Sequence, residues 1–422
     1  MSRSYSIDVF QKLIQNYPTW SELEQYVESE EGGRFRIADR NEQGLCLIRY
    51  EKGVSNMELP HSKWFRSVVW NTLTHRPVSV APPKSSSEPF PYSTVEEVDQ
   101  AGLIWEEWLD GFMINIFKQA EDNQLYITSR SKLDASGTFY SHKSFRRLFI
   151  ESYTGWLSTP EQSLEWLIQE ESRNIPSPGQ GETSVGYSFL VQNKEHRIVK
   201  DILHNTTALI QKVSIFQDGR MQVEDQFSSC PIPHCTATLP PRIGVENGPV
   251  TESLAKLFQE KSWDFQGVMC KDAKGNRWHV RSEKYAAVRS LRGNGPSVLE
   301  RYAALYTQNL AHLYLEYYPS EAFDFSVHGS FMQQICTQLY DHYIALHVSK
   351  TKKREEIDAM FHPHLYGIHG VYLSQLRPAH KKVTVEEIRT YFHRQPWQRI
   401  SFLLRKMQDA YFALMNQMFQ GT

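Results

Sequence analysis

The sequence predicts an α+β fold, a mixed part built on antiparallel sheet followed by an all-helical part. Three observations predict it. From Gly32 to about Pro231, short alternating or apolar runs are separated by polar turns, which reads as sheet with intervening helices. In 266–282 two strand runs flank the turn residues Lys274-Gly275-Asn276, the pattern of a hairpin. Beyond about Gly295, Gly and Pro thin out, and Leu, Tyr, Met and His recur at intervals of three and four.

Taken in order, residues 1–30 read as a helical segment, with Thr19 and Glu22 at capping-box spacing ahead of Leu23, Tyr26 and Val27. A mixed domain follows over 31–294. Its expected strands are 46–50, 67–71, 112–117, 124–130, 187–192 and 209–216, and 82–93, dense in Pro and Ser, is a loop between sheet elements. LRGNGP at 291–296 has the composition of a linker, and 295–422 reads as a helical domain. In its last helix Leu403, Leu404, Met407, Tyr411, Leu414, Met415 and Met418 make one apolar face.

Composition narrows the classes of function. A net charge of −2 argues against coating nucleic acid by bulk charge, yet leaves room for a local basic groove. No apolar run is long enough to span a bilayer, and MSRSYSIDVF lacks the layout of a secretory signal. Five scattered cysteines fit a reducing compartment, so the cytoplasm is expected. Cys230, His234 and Cys235 raise a zinc site, but a second ligand pair is missing and ordinary thiols are the simpler reading. His362, His364 and His369 likewise read as interfacial or surface histidines rather than ligands.

Chemistry is suggested by segments in a fixed order. Arg66 stands in WFRSVVWN and Lys84 at the mouth of a Pro-rich loop. EEWLDGFMINIF (106–117) has an Asp-Gly turn leading into an alternating strand. Then come YITSRS with Arg130, YSFLVQ with Phe189, DFQGVMC with Gln266-Gly267, and RWHVRS with His279 and Arg281. Over roughly residues 45–294 this order and spacing resemble the covalent nucleotidyltransferases, and among them the ATP-dependent RNA ligases related to the enzyme of T-even phages. RNA-ligase-like proteins of large DNA viruses are similar.

The resemblance implies a nucleotidyltransferase domain of ATP-grasp-like antiparallel sheets around an ATP cleft, with a helical accessory domain behind it. It implies ATP and Mg²⁺ as cofactors and RNA ends as the partner. Such ligases attack the α-phosphate of ATP with a lysine amine in a Lys-x-Asp-Gly motif. Here that motif reads Trp108-Leu109-Asp110-Gly111, and an indole cannot be the nucleophile. Asp110 and Gly111 match. Arg66 and Lys84 match an upstream pair that grips ATP phosphates, Arg130 an arginine on the nucleotide sugar and RNA end, and Phe189 an aromatic that stacks on adenine. Gln266 replaces a metal-binding Glu, and His279-Val280-Arg281 replaces Lys-x-Lys.

Two expectations follow. Either the protein seals or adenylylates RNA ends, with Lys84 swinging in as the nucleophile beside Asp110, or it is a pseudo-ligase kept as a nucleotide- or RNA-binding module or a structural component of a viral assembly. A viral origin would place it in a virion or viral factory. In the second case Arg66, Lys84, Arg130, Arg281, Arg289 and Arg292 would still make a cationic cleft.

Overall fold

The computed structural model describes residues 3–86, 89–156, 160–272 and 274–420. The chain divides into two compact units, Met1–Ala286 and Ala287–Thr422.

The first unit holds three antiparallel sheets. The largest has the order β1-β11-β10-β9-β7-β8, from Arg3–Ile7, Met221–Gln226, Thr206–Phe216, Glu182–Gln192, Phe112–Gln119 and Tyr126–Thr128. A second, β2-β3-β4-β5, comprises Arg36–Arg40, Leu45–Arg49, Val68–Asn71 and Arg76–Val80. The third, β13-β12-β6, joins Arg277–Arg281, Gly267–Lys271 and Ile104–Glu107. The expected hairpin is β12–β13, with Met269 opposite His279. The loop expected over 82–93 has no regular element among its described residues, and residues 87 and 88 lie outside them.

Residues 1–30 are not wholly helical. Helices α1 (Val9–Asn16) and α2 (Trp20–Glu28) form, and the capping box is present, with Thr19 Oγ1 accepting from Glu22 N. Ahead of them, however, Arg3–Ile7 is a strand paired with β11. Five residues of alternating RSYSI carry too weak a pattern to be read alone; the edge of β11 decides their conformation.

Alternation along β9 assigns its two faces. Val185, Tyr187, Phe189 and Val191 enter a core shared with residues of α4 (Phe145–Thr154) and α5 (Glu161–Asn174). On the opposite face Ser184 Oγ donates to the carbonyls of Val78 (2.6 Å) and Lys118 (2.8 Å), fastening the second sheet to the first. A separate core lies behind β6 and β12, where Val95 and Val98 of α3 (Val95–Gln100) meet Val250 and Leu254 of α6 (Val250–Glu260).

α7 (Glu283–Arg292) runs across the boundary between the units. The second unit contains α8 (Val298–Thr307), α9 (Ala311–Tyr317), α10 (Ala322–Tyr343), α11 (His362–Val371), α12 (Val385–His393) and α13 (Trp397–Gln420), with short 3-10 and π segments between them. Arg301 donates to Glu321 at 2.7 Å, and Tyr314 Oη donates to the same carboxylate at 2.9 Å. Of the histidines, His362 bonds the carbonyls of Arg354 and Ile357, His364 is buried against Tyr391, and His369 stacks on His347 at 4.1 Å.

Candidate functional site: a cationic cleft in the first unit

Residues 107–112 cross from the small sheet to the large one. Trp108 N donates to Gly267 O at 2.9 Å, which extends the β6–β12 ladder by one residue. The chain then passes Asp110-Gly111 and enters β7. Gly111 is required sterically, because a Cβ there would stand 2.4 Å from the Val191 carbonyl oxygen. Gly267 is required twice over: its φ is +148°, and a Cβ would meet Val280 O at 2.1 Å. Both glycines of the motifs therefore serve close backbone approach.

The cleft opens where these strands meet. Arg66, Trp108, Leu190, Met269 and Arg277 line a cavity of about 70 Å³. Trp108 stands in its wall. Its indole lies 4.3 Å from the His279 ring and under the Arg281 guanidinium at 4.6 Å. With the Gln266 amide oriented to satisfy both groups, its oxygen accepts from Trp108 Nε1 and its nitrogen donates to Leu109 O, each at 3.3 Å. His279 is held below its ordinary value, first by partial burial and then by the nearby cations Arg281, Lys84 and Arg66. It is neutral at pH 7.

Beside this plug lies a cluster of arginines. Half-buried Arg66 is pushed down to about 10, mainly by burial and also by the neighbouring cations Arg277 and Arg130; Glu106 and Glu107 line the same cavity but pair with Lys271 and Lys200. Arg130 lies over the Tyr50 ring at 4.6 Å. Arg49 is lowered by burial and by Arg130 and Arg36, against one opposing carboxylate, Glu51. The Nε groups of Arg49 and Arg277 are buried without a hydrogen-bond partner among the described residues. A second cavity of about 360 Å³ adjoins through Ser85 and Arg277 and is also lined by Lys63, Lys84 and Asn276. There Lys63 Nζ donates to Asn276 Oδ1 at 2.9 Å, and burial lowers its pKa.

Several expected site residues lie elsewhere or do something else. Phe189 is enclosed in the core between Phe149 and Tyr153, so its face cannot receive a base; alternation gives the cleft to Leu190. Asp110 is buried, and its Oδ2 accepts from the amides of Val199 (3.0 Å) and Lys200 (2.9 Å), anchoring that loop. Arg292 belongs to the second unit, where it pairs with Glu321 at 3.7 Å, and Arg289 falls in that unit too. Arg66, Trp108, Gln266, His279 and Arg281 do converge, and Arg130 and Lys84 flank them.

Sequence reading missed Arg49, Tyr50, Lys63 and Arg277. A signal existed for Arg277: it shares parity with His279 and Arg281 on β13, so alternation puts all three on one face.

Mg²⁺ does not fit at Gln266. The amide supplies no charge, and its oxygen is taken by Trp108. No group of three or more His, Cys, Asp or Glu that could hold a metal ion occurs among the described residues. The inner cavity of about 70 Å³ also falls short of the roughly 300 Å³ at which ligand pockets begin, whereas the outer one of about 360 Å³ reaches it.

No family model and no curated protein matches this sequence. Two solved structures, an archaeal ATP-dependent RNA ligase in its forms 2 and 1, align with 75% of this chain and with 74% and 73% of theirs. They share 10% identity with it, at TM-scores of 0.35 and 0.34.

Proposed function

We propose that the first unit is an RNA-ligase-like nucleotidyltransferase fold whose cleft binds the phosphates of RNA ends or of a nucleotide without covalent transfer at position 108. The observation that carries this reading is Arg66: a half-buried guanidinium, lowered to about 10 by burial, with Arg130 and Arg277 near it and no ion pair to a carboxylate among the described residues. A charge so placed is costly until an anion meets it. Arg49, Arg130 and Arg277 stand around it, and a phosphate offers the geometry that a guanidinium fork pairs with twice. The convergence of ordered motifs on this cleft supports the family; Trp108 where the nucleophile belongs supports binding in place of catalysis.

ATP and Mg²⁺ belong to the family's chemistry. With the inner cavity closed, the part of a nucleotide that this cleft accommodates is its phosphates, in the outer cavity beside Lys63 and Lys84. The position of Lys84 there favours a second reading, adenylylation from that lysine. It is tested by incubating the protein with α-labelled ATP and Mg²⁺ and mapping any labelled peptide; label on Lys84 would establish it.

The binding reading is tested by titrating a short 5′-phosphorylated single-stranded RNA into parent and Arg66→Ala proteins. Each charge-assisted contact is worth about 1.5–3 kcal/mol, so binding is expected to weaken roughly ten- to a hundredfold. Equal affinities would reject the cleft as the binding site.

A further inference from the structure

We propose that Cys230 and Cys235 are a thiol–disulfide exchange site for low-molecular-weight disulfides, with Cys235 attacking and Cys230 resolving. The segment Cys230-Pro231-Ile232-Pro233-His234-Cys235 turns back on itself. Cys235 N donates to Ile232 O at 3.3 Å, and His234 stands in the left-handed region at φ +58°, a conformation that costs a residue with a side chain. Pro231 and Pro233 fix two further φ angles. The turn thus holds both thiols in advance within hydrogen-bonding reach of each other. Both are half-buried, at the edge of the core that β9 shares with α4.

The two thiols are not equivalent. Cys235 Sγ accepts from Ala237 N at 3.4 Å, and the Tyr153 hydroxyl, buried with no other partner among the described residues, reaches it as well. Cys230 has the Ile232 amide in addition to its neighbour. Hydrogen bonds to a thiolate favour the charged form, so Cys235 is the one that ionises. Its pKa falls to about 6, first through the Cys230 thiol and then through Tyr153 and Ala237, against burial and the Glu171 carboxylate. That of Cys230 rises, through the same bond and burial. The other three cysteines are buried, and burial pushes Cys46 and Cys270 up to about 12 and Cys336 up to about 11. A thiol that ionises near neutral pH is the effective attacker in exchange.

The reaction balances in two steps. The Cys235 thiolate attacks one sulfur of the small disulfide; that S–S bond breaks, a bond to Cys235 Sγ forms, and one thiolate leaves and is protonated. Cys230 then gives its proton to solvent and attacks Cys235 Sγ, expelling the second thiolate, which is protonated in turn. Two electrons pass from the protein dithiol to the small disulfide, which ends as two thiols.

Incubating the reduced full chain with oxidised glutathione, then alkylating it under denaturing conditions and mapping its peptides, tests the proposal. Residues 221–242 lie between successive arginines, so one tryptic peptide carries both thiols. In the parent that peptide is expected to lose two hydrogen atoms and resist alkylation, while Cys46, Cys270 and Cys336 are alkylated in full. Cys230→Ser is expected to stop at a glutathione adduct on Cys235, and Cys235→Ser to acquire its adduct on Cys230 roughly tenfold more slowly. Circular dichroism checks the folding of both variants, and the parent peptide decides should either misfold. A parent peptide that keeps both thiols, adducts forming equally fast on Cys230 and Cys235, or buried cysteines oxidised at the same rate would each overturn the proposal.

Discussion

The two sides of the cleft have been treated differently. On one side Trp108, Gln266, His279 and Arg281 satisfy one another: the indole N–H has its acceptor, and its ring lies against the imidazole and the guanidinium. On the other, Arg49, Arg66, Arg130 and Arg277 crowd together, with two buried Nε groups unpartnered among the described residues. Trp108, Gln266, His279 and Arg281 therefore form a packed set, while the arginines opposite them keep an unmet demand. The first set satisfies itself structurally; the second remains costly, which is the mark of a candidate ligand site.

The largest effect expected to sharpen this contrast is at Asp110. Alanine there strips two amides of a charged acceptor in a buried setting, a loss of about 3–5 kcal/mol. Chemical denaturation would show it directly. Arg66→Ala, by comparison, should leave the unfolding midpoint unchanged or raise it, since it removes a desolvated charge. A large destabilisation at Arg66 would mean that the cation serves the fold.

Trp108→Ala comes next. Removing a half-buried indole should cost about 2 kcal/mol, less than the full penalty for a core tryptophan. Gln266→Glu should cost about 1 kcal/mol, because the donor to Leu109 O is lost and a carboxylate faces that carbonyl. A Gln266→Glu variant that gained tight Mg²⁺ binding in a titration would show that the plug is looser than described.

The smallest effect concerns His279. Its folded pKa is depressed, so its contribution to stability is present above the unfolded value near 6.5 and is lost as pH falls from there through the lower folded value. Protonation adds a cation to the cleft, so RNA affinity should rise over the same window. His279→Gln should flatten that part of the pH profile; an unchanged profile would remove His279 from the site.

How much of this was legible in the sequence differs from residue to residue. β7, β9 and β10 showed as apolar or alternating runs because both faces of each are largely covered, one by the apolar core and one by the second sheet, and the β12–β13 hairpin announced itself by its turn. Motif order brought Arg66, Trp108, Gln266, His279 and Arg281 to one place. The face of Phe189 was misjudged although period two decides it, since motif likeness tolerates a shift of one residue and the pleat does not. The Asp110 anchor was hidden because its partners are backbone amides of 199–200, which a sequence does not display. Arg49, Tyr50 and Lys63 depend on how separate sheets meet, and no local pattern carries that. In α13 the apolar face was visible, but only the fold tells that its end is uncovered.

Whether the plug closes the base site is decided most directly by comparing ATP with inorganic tripolyphosphate in binding calorimetry, on the parent and on Trp108→Ala. If the indole occupies the base site and the arginines and lysines hold phosphate, the parent binds both ligands with similar affinity. The variant should then bind ATP at least tenfold more tightly than tripolyphosphate. A parent that already prefers ATP by tenfold or more, or that binds adenosine alone, would contradict the account.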